Sequence, residues 1–182
     1  HAHEAREHVA DGVVAHVAHV QASRGVREHR QAVVLLARRG FVGVEGAGGL
    51  PVLPGGSLAV KDGEQVVPII NRIAKGFANV VLTQDWHTAG HVSFATSHSG
   101  KKPFETVDLS YGKQVLWPDH CVQGTESAAL SKELAIAHAG LVIRKGFNRD
   151  MDSYSAFTEA DGKTTTGLAA YLKARKVKKV FL

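Results

Sequence analysis

At 182 residues, with 44% hydrophobic side chains, the chain is sized for one domain with a sizeable core, and no run approaches the length of a membrane span. A single cysteine excludes an internal disulfide framework and fits a reducing compartment, and the first residues lack the charged, apolar and small-residue order of a signal peptide, so a cytoplasmic protein without a membrane partner is expected. The net charge of +5 is concentrated near the end of the chain, where a helix accounts for it better than a nucleic-acid surface does.

Residues 1–52 differ in composition from the rest. Six of the eleven histidines lie at positions 1, 3, 8, 16, 19 and 29. Their irregular spacing, without cysteine, argues against a metal site. A helix is expected from Glu4 to Ala22. Gln31 to Leu36 is a candidate strand, carrying Ala32-Val33-Val34-Leu35-Leu36.

From Glu64 the pattern becomes regular. Val67, Ile70 and Ile73 recur at helical spacing, which predicts a helix over Glu64 to Lys75, with Gly76 near its end. Asn79-Val80-Val81-Leu82-Thr83-Gln84 is short and β-branched, and reads as a buried strand. Asp85 and His87 follow at its end. Residues two apart in a strand share a face, so these side chains are expected beside one another. With His120, in Trp117-Pro118-Asp119-His120-Cys121, they make a carboxylate and two imidazoles, a donor set that suits Zn²⁺, Fe²⁺ or Mn²⁺. Three protein ligands leave a position open, as catalytic metal sites do. An Asp-x-His pair can also cap a loop, and a lone histidine can be a hydrogen-bonded surface residue. Spacing alone leaves both readings open.

Asp108 to Trp117 reads as a loop returning to this site. Thr125 to His138 is expected to be a helix carrying Leu130 and Leu134, with Gly140 as its stop. Leu141 to Lys145 is a predicted strand, Thr166 to Lys176 a helix, and Val180 to Leu182 the start of another strand. In the last helix Leu168, Tyr171 and Leu172 mark an apolar face. Lys173, Arg175, Lys176, Lys178 and Lys179 cluster at and beyond its C-terminus, where cations complement the helix dipole. No interleaved aromatics support single-strand binding, so no nucleic-acid partner is expected. Alternating helices and strands imply an α/β fold: a parallel sheet covered on both faces, with its site at the carboxyl ends of the strands.

Four ordered segments carry a family resemblance. Gln84-Asp85-Trp86-His87-Thr88-Ala89-Gly90-His91-Val92-Ser93-Phe94-Ala95 and Leu116-Trp117-Pro118-Asp119-His120-Cys121-Val122 resemble the two metal-binding segments of nicotinamidases, in the isochorismatase-like hydrolase superfamily. Leu53-Pro54-Gly55-Gly56-Ser57-Leu58-Ala59-Val60 resembles the loop after the family's first strand. Arg144-Lys145-Gly146, followed by Asp152-Ser153-Tyr154-Ser155-Ala156-Phe157, resembles the catalytic-lysine strand and its loop. The resemblance covers residues 53–182 and implies a three-layer, doubly wound parallel sheet, here incomplete.

The resemblance also implies a function: metal-dependent hydrolysis of nicotinamide, the small-molecule partner, to nicotinate and ammonia in NAD salvage. It makes Asp85, His87 and His120 the metal ligands, with His91 a further ligand or their neighbour. Zn²⁺ is the first expectation for the ion, with Fe²⁺ or Mn²⁺ as alternatives. Lys145 would be the lysine of the catalytic triad, and Trp117 and Tyr154 would line the substrate pocket. Core packing is the commoner fate of such aromatics. Family members are understood to use a cysteine thiolate, activated by an aspartate and flanked by the lysine. The bound metal holds the pyridine nitrogen, a positioning role.

Two departures follow from the same resemblance. The family's nucleophile lies just after a strand that begins like Lys179-Val180-Phe181-Leu182, and its aspartate stands in a segment leading directly into Leu-Pro-Gly-Gly. Before Leu53 this chain has Gly46-Ala47-Gly48-Gly49-Leu50-Pro51-Val52, and the nearest acidic residue upstream is Glu45. Cys121, the only cysteine, matches the non-nucleophilic cysteine beside the family's metal-binding histidine. The resemblance begins abruptly at Leu53, so residues 1–52 are read as an aberrant translation joined to an authentic frame, or else a divergent extension. An uncovered sheet edge would make the chain, expressed alone, poorly soluble or partly unfolded. The alternatives to a nicotinamidase are an amidohydrolase of the same superfamily with another carboxamide substrate, and a non-catalytic metal-binding fragment. A homo-oligomer is compatible with either.

Overall fold

The computed structural model describes residues 63–181 and Leu58, together with the backbones of three earlier strands. Those strands are β1 (Glu7–Ala10), β2 (Val13–His16) and β3 (Phe41–Glu45). Then follow α1 (Val66–Ala74), β4 (Asn79–Asp85), β5 (Thr106–Leu109), β6 (Gly112–Val115), β7 (Ala139–Lys145), α2 (Leu168–Ala174) and β8 (Lys179–Phe181).

Six strands form one sheet in the order β1-β2-β8-β3-β4-β7, parallel throughout except for β1 against β2. β4 runs through the interior. Val80 to Gln84 are all buried, so both of its faces are covered, which is why the strand reads as a continuous apolar run rather than an alternation. Ile70 and Ala74 of α1, Leu168 and Leu172 of α2, Ile143 of β7, Val180 of β8 and Ile136 pack with Val80, Val81 and Leu82 into one core. Pro68 sits in the first turn of α1, where its missing N–H has no intrahelical partner to lose. At the end of α2 the non-glycine Lys176 takes φ 54°, and Val177 N–H returns to Leu172 O at 3.0 Å, closing the helix. No helix among the described residues is long and apolar enough to cross a membrane.

Three expectations change. Within Glu4 to Ala22 the described residues are the antiparallel β1–β2 pair, not a helix. Histidine and valine are weak helix formers, and Val9, Val13 and Val14 suit a strand. Residues 31–36 lie outside the described residues. The place beside β4 is taken by β3, whose Gly43 interrupts its apolar run. Asp108 to Trp117 is mostly a β-hairpin, β5–β6, turning at Ser110-Tyr111.

The third change has a visible cause. Thr125 to His138 contains only one short 3₁₀ turn, Glu126–Ala128. The Asn71 side chain on α1 donates to Glu133 O at 2.7 Å and accepts from Ala135 N–H at 2.8 Å. His138 Nε2–H reaches Ala74 O at 3.1 Å. These bonds hold the segment along α1, while Leu130, Leu134 and Ile136 still reach the core. Gly140 is accordingly not a helix stop. It lies in β7, where a Cβ would meet the Tyr171 hydroxyl at 2.9 Å.

Candidate active site

The parallel register sets Asp85, the last residue of β4, opposite Lys145, the last residue of β7. Asp85 Oδ1 lies 3.1 Å from Lys145 Nζ, with the lysine side chain only 6% exposed. Burial works against a charged Asp85. Lys145, His87 and His120 nevertheless outweigh it and hold the carboxyl below the ordinary aspartate range. Beyond the strand end, Trp86 N–H donates to Lys145 O at 2.8 Å and His87 N–H to Cys121 O at 2.9 Å. The two predicted metal-binding segments are thus stitched together by backbone bonds, with Gln123 N–H returning to His87 O at 2.8 Å.

His87 is buried among aromatic rings. Its centroid is 4.6 Å from those of His91 and His120, and 5.3 Å from that of Phe94. Gly146 makes room for it. A Cβ there would come within 2.6 Å of the His87 ring, and the glycine's φ of 64° is itself left-handed. The His87 Nδ1 atom is buried without a hydrogen-bond partner. His120 Nδ1–H donates to Pro118 O at 2.8 Å, which leaves Nε2 as the lone-pair nitrogen. Burial, reinforced by His87, pushes the His120 pKa down to about 4, so the ring is neutral near pH 7. A neutral imidazole with a free lone pair is the form that ligates a metal.

His91 differs. Its Nδ1 accepts from Ser93 N–H at 3.2 Å and meets Ser93 Oγ at 2.8 Å, and Nε2–H donates to Met151 O at 3.2 Å. Both ring nitrogens are therefore engaged in hydrogen bonds within the fold. Yet the described group whose donor atoms all lie within 4.8 Å of one another is His87, His91 and Asp152. In this structure the Nδ1 lone pair of His91 is taken up by the Ser93 amide.

Asp152 was not singled out from the sequence as a site residue. It is 3% exposed, and its Oδ1 lies 3.8 Å from His87 Nε2. Its signal lay within Asp152-Ser153-Tyr154-Ser155-Ala156-Phe157, as a carboxylate in a segment otherwise suited to burial. Trp117 and Tyr154 are joined, with Trp117 Nε1–H donating to Tyr154 Oη at 2.9 Å. The Tyr154 ring is exposed, while its hydroxyl sits inside the polar network, where burial and Asp152 raise its pKa. Phe104 packs edge-to-face on Trp117 with ring centroids 5.8 Å apart.

Cys121 is buried, with φ 47°, and burial pushes its thiol up to about 12, so a thiolate is disfavoured there. A separate open depression of about 810 Å³ is lined by Gln84, Trp86, Glu126 and Arg144 among others. It excludes Lys145 and all the histidines, so we do not take it as the reaction site.

No protein-family model matches the chain. It is 55% identical over 129 residues to a nicotinamidase of Acinetobacter baylyi, an alignment covering 71% of this chain and 60% of that protein. A nicotinamidase of Saccharomyces cerevisiae is 30% identical over 146 residues, covering 72% of this chain and 68% of that protein. Among solved structures, a nicotinamidase/pyrazinamidase of Acinetobacter baumanii superposes with TM-score 0.68 at 57% identity, over 70% of this chain and 61% of that one. A pyrazinamidase of Pyrococcus horikoshii, determined in complex with zinc, gives TM-score 0.52 at 30% identity, over 70% and 60%. The chain spans about three fifths of the length of the curated nicotinamidases of Acinetobacter baylyi and Escherichia coli to which it is similar. Its fold is the isochorismatase-like α/β fold of these enzymes. By sequence and by fold, the chain belongs to the nicotinamidase family.

Proposed function

We propose that this protein acts in the hydrolysis of nicotinamide to nicotinate and ammonia, with a divalent metal held by Asp85, His87 and His120. The observation that carries the proposal is the meeting, at the carboxyl ends of β4 and β7, of a buried lysine, a carboxylate and two imidazoles. The residues fit a metal: His87 Nδ1 is a buried nitrogen without a partner, and His120 keeps a lone pair on Nε2. When bound, the metal would supply a fixed anchor for the substrate's ring nitrogen. Zn²⁺ is the first candidate and suits this borderline nitrogen and oxygen donor set, with Fe²⁺ or Mn²⁺ as alternatives.

The chain's own residues would do the rest. Trp117 and Tyr154 present aromatic surface to a flat ring. Lys145 places a cation beside the reacting carboxamide, where it stabilises an adjacent thiolate and the charge developing on oxygen. Cys121 suits structure, not attack. The family's thiolate and carboxylate base would come from the segments that in relatives follow a strand like β8 and lead into Leu-Pro-Gly-Gly, and of the triad this sequence supplies Lys145. Residues 53–182 make up the hydrolase domain in this proposal. The cytoplasmic assignment rests on the lone thiol.

Ammonia release from nicotinamide, measured with added Zn²⁺ or Mn²⁺, tests the proposal. In a chain extended with the family's nucleophile and aspartate segments, turnover that is lost in Lys145→Ala and kept in Cys121→Ala supports it. Turnover lost in Cys121→Ala would move the nucleophile to Cys121 and overturn the assignment. A second reading, a metal-binding chain without catalysis, is favoured by the burial of the only cysteine. Metal binding that disappears in His87→Ala, with no turnover of any carboxamide, would establish it.

A further inference from the structure

Asp152 has a place in the site that the proposed reaction leaves unused. Its carboxylate is locked on both sides: Oδ1 accepts from Ser153 N–H at 2.8 Å, and Oδ2 from Gln114 Nε2 at 2.8 Å. Gln114 is itself fixed. Its amide also donates to Val115 O at 2.7 Å, and its Oε1 accepts from Tyr111 at 3.1 Å. A chain of contacts thus runs from the β5–β6 hairpin through Gln114 and Asp152 to His87. At its end Asp152 Oδ1 faces His87 Nε2 at 3.8 Å, within ion-pair range and a small ring rotation from a hydrogen bond. Gly146 closes in on the same edge of the His87 ring, so the ring has little room to turn away. The opposite ring nitrogen, Nδ1, is the one without a partner.

We propose that Asp152 is the positioning residue of the site: it takes the Nε2–H of His87, fixes the tautomer, and leaves Nδ1 as the lone-pair atom. A carboxylate behind a ligating histidine sets both its orientation and its basicity, and losing such a partner typically weakens metal binding by roughly 10- to 100-fold. Asp152 acts through His87: Oδ1, which takes one bond from Ser153 N–H, keeps a second lone pair for the His87 Nε2–H, and a direct ligand role is the alternative that the test separates. The role toward a metal rests on the function proposed above. The tautomer does not.

The test uses the whole chain, with ¹⁵N-labelled histidine and Co²⁺ as the probe metal. Long-range ¹⁵N–¹H spectra of the metal-free protein at mildly alkaline pH, with the His87 signals assigned by their loss in His87→Gln, should show a single Nε2–H tautomer. Asp152→Asn should turn it into a mixture. In the same variant Co²⁺ affinity should fall roughly 10- to 100-fold, with the d–d band positions and intensities of the bound ion unchanged. Gln114→Leu, which loosens Asp152 without removing it, should shift the tautomer in the same direction by less, and it carries the test if Asp152→Asn does not fold. A tautomer unchanged in both variants overturns the proposal. So does a change of the Co²⁺ bands toward a lower coordination number, which would make Asp152 a ligand. A wild-type chain that binds no Co²⁺ yet shows the tautomer change upholds the positioning role and removes the metal from the proposed function.

Discussion

The core under the sheet and the cluster at its carboxyl end are held by different forces, although β4 runs through both. Val80, Val81 and Leu82 sit among aliphatic side chains from two helices and two strands, where contact is non-directional and scales with area. A few residues on, Asp85 and His87 depend on single partners: Lys145, the Cys121 carbonyl, the edge of Gly146. The core can absorb small changes by repacking. The cluster has fewer ways to adjust, because each polar atom has one geometry that satisfies it. Damage to the core should therefore appear as lost stability with an intact site, and damage to the cluster as lost binding even where the fold survives.

The largest effect on stability is expected from Leu172→Ala. Leu172 is fully buried in the core. Removing a buried leucine side chain costs about 2–5 kcal/mol, depending on how far the cavity collapses. Urea unfolding should show a lower midpoint with an unchanged slope, while Co²⁺ affinity of the folded fraction stays at the wild-type value. A change in affinity greater than in midpoint would break the separation between core and cluster.

Lys145→Ala should follow closely. It strands Asp85 in a largely buried place, and breaking a buried pair by removing one partner costs about 3–5 kcal/mol. The Asp85 side chain is 22% exposed, so water offsets part of this and the lower end applies. The pH dependence has a definite sign. Asp85 is held below its ordinary value in the folded protein, so its contribution is present above the unfolded pKa and disappears as pH falls through the folded one. The stability gap between wild type and Lys145→Ala should therefore narrow on acidification below the ordinary carboxylate range. A gap that stays constant would show that lost packing, not charge, is responsible.

The same division between area and geometry decides what the sequence could reveal. β4, β7, α1 and α2 were readable, because burial leaves a local pattern: the unbroken apolar run Val80-Val81-Leu82 in a strand covered on both faces, and the i, i+4 pair Leu168 and Leu172 in a helix. The segment around Leu130 and Leu134 shows the limit: its i, i+4 pair resembles a helix face, but the Asn71 amide holds its backbone along α1, and no local pattern records a bond over 62 residues. The hairpin at Ser110-Tyr111 was hidden because β5 and β6 are half-exposed and short. That Asp85, His87, His120 and Lys145 come together was legible through strand ends and motif, while their roles are the proposal made above. Asp152 was not, since its importance comes from Gln114 and His87, each distant in sequence.

Gly146→Ala should reverse the pattern of Leu172→Ala. The left-handed φ costs an alanine about 1–2 kcal/mol. The larger consequence is steric, because the new methyl would meet the His87 ring at 2.6 Å. The ring must shift, and Gly146 belongs to the same chain as Lys145, so backbone relief would disturb that lysine as well. Co²⁺ affinity should drop more than in Asp152→Asn, with only a modest change in urea midpoint. Wild-type affinity in this variant would mean that the His87 ring has slack on the Gly146 side and that the site is less constrained than its contacts imply.

The smallest effect is expected on the outer face of the same strand ends. Arg144 alternates with Lys145 along β7, and its guanidinium lies 4.0 Å from the centre of the Trp86 ring while Nε–H donates to Gln84 Oε1 at 3.3 Å. At an exposed site a cation over an aromatic face contributes about 0.5–1 kcal/mol. Arg144→Ala should lower stability by that amount. Arg144→Lys should recover little of it, because the planar stack and the Nε–H are both lost. Trp86 stands between Asp85 and His87 in sequence, but the backbone bonds from Trp86 to Lys145 and from His87 to Cys121 fix those neighbours independently of the indole. Co²⁺ affinity should therefore be unchanged in both variants. A drop of tenfold or more would show that the Trp86–Arg144 stack reaches through the strand to the side that carries Asp85 and His87, and that the cluster extends to the outer face of β4 and β7.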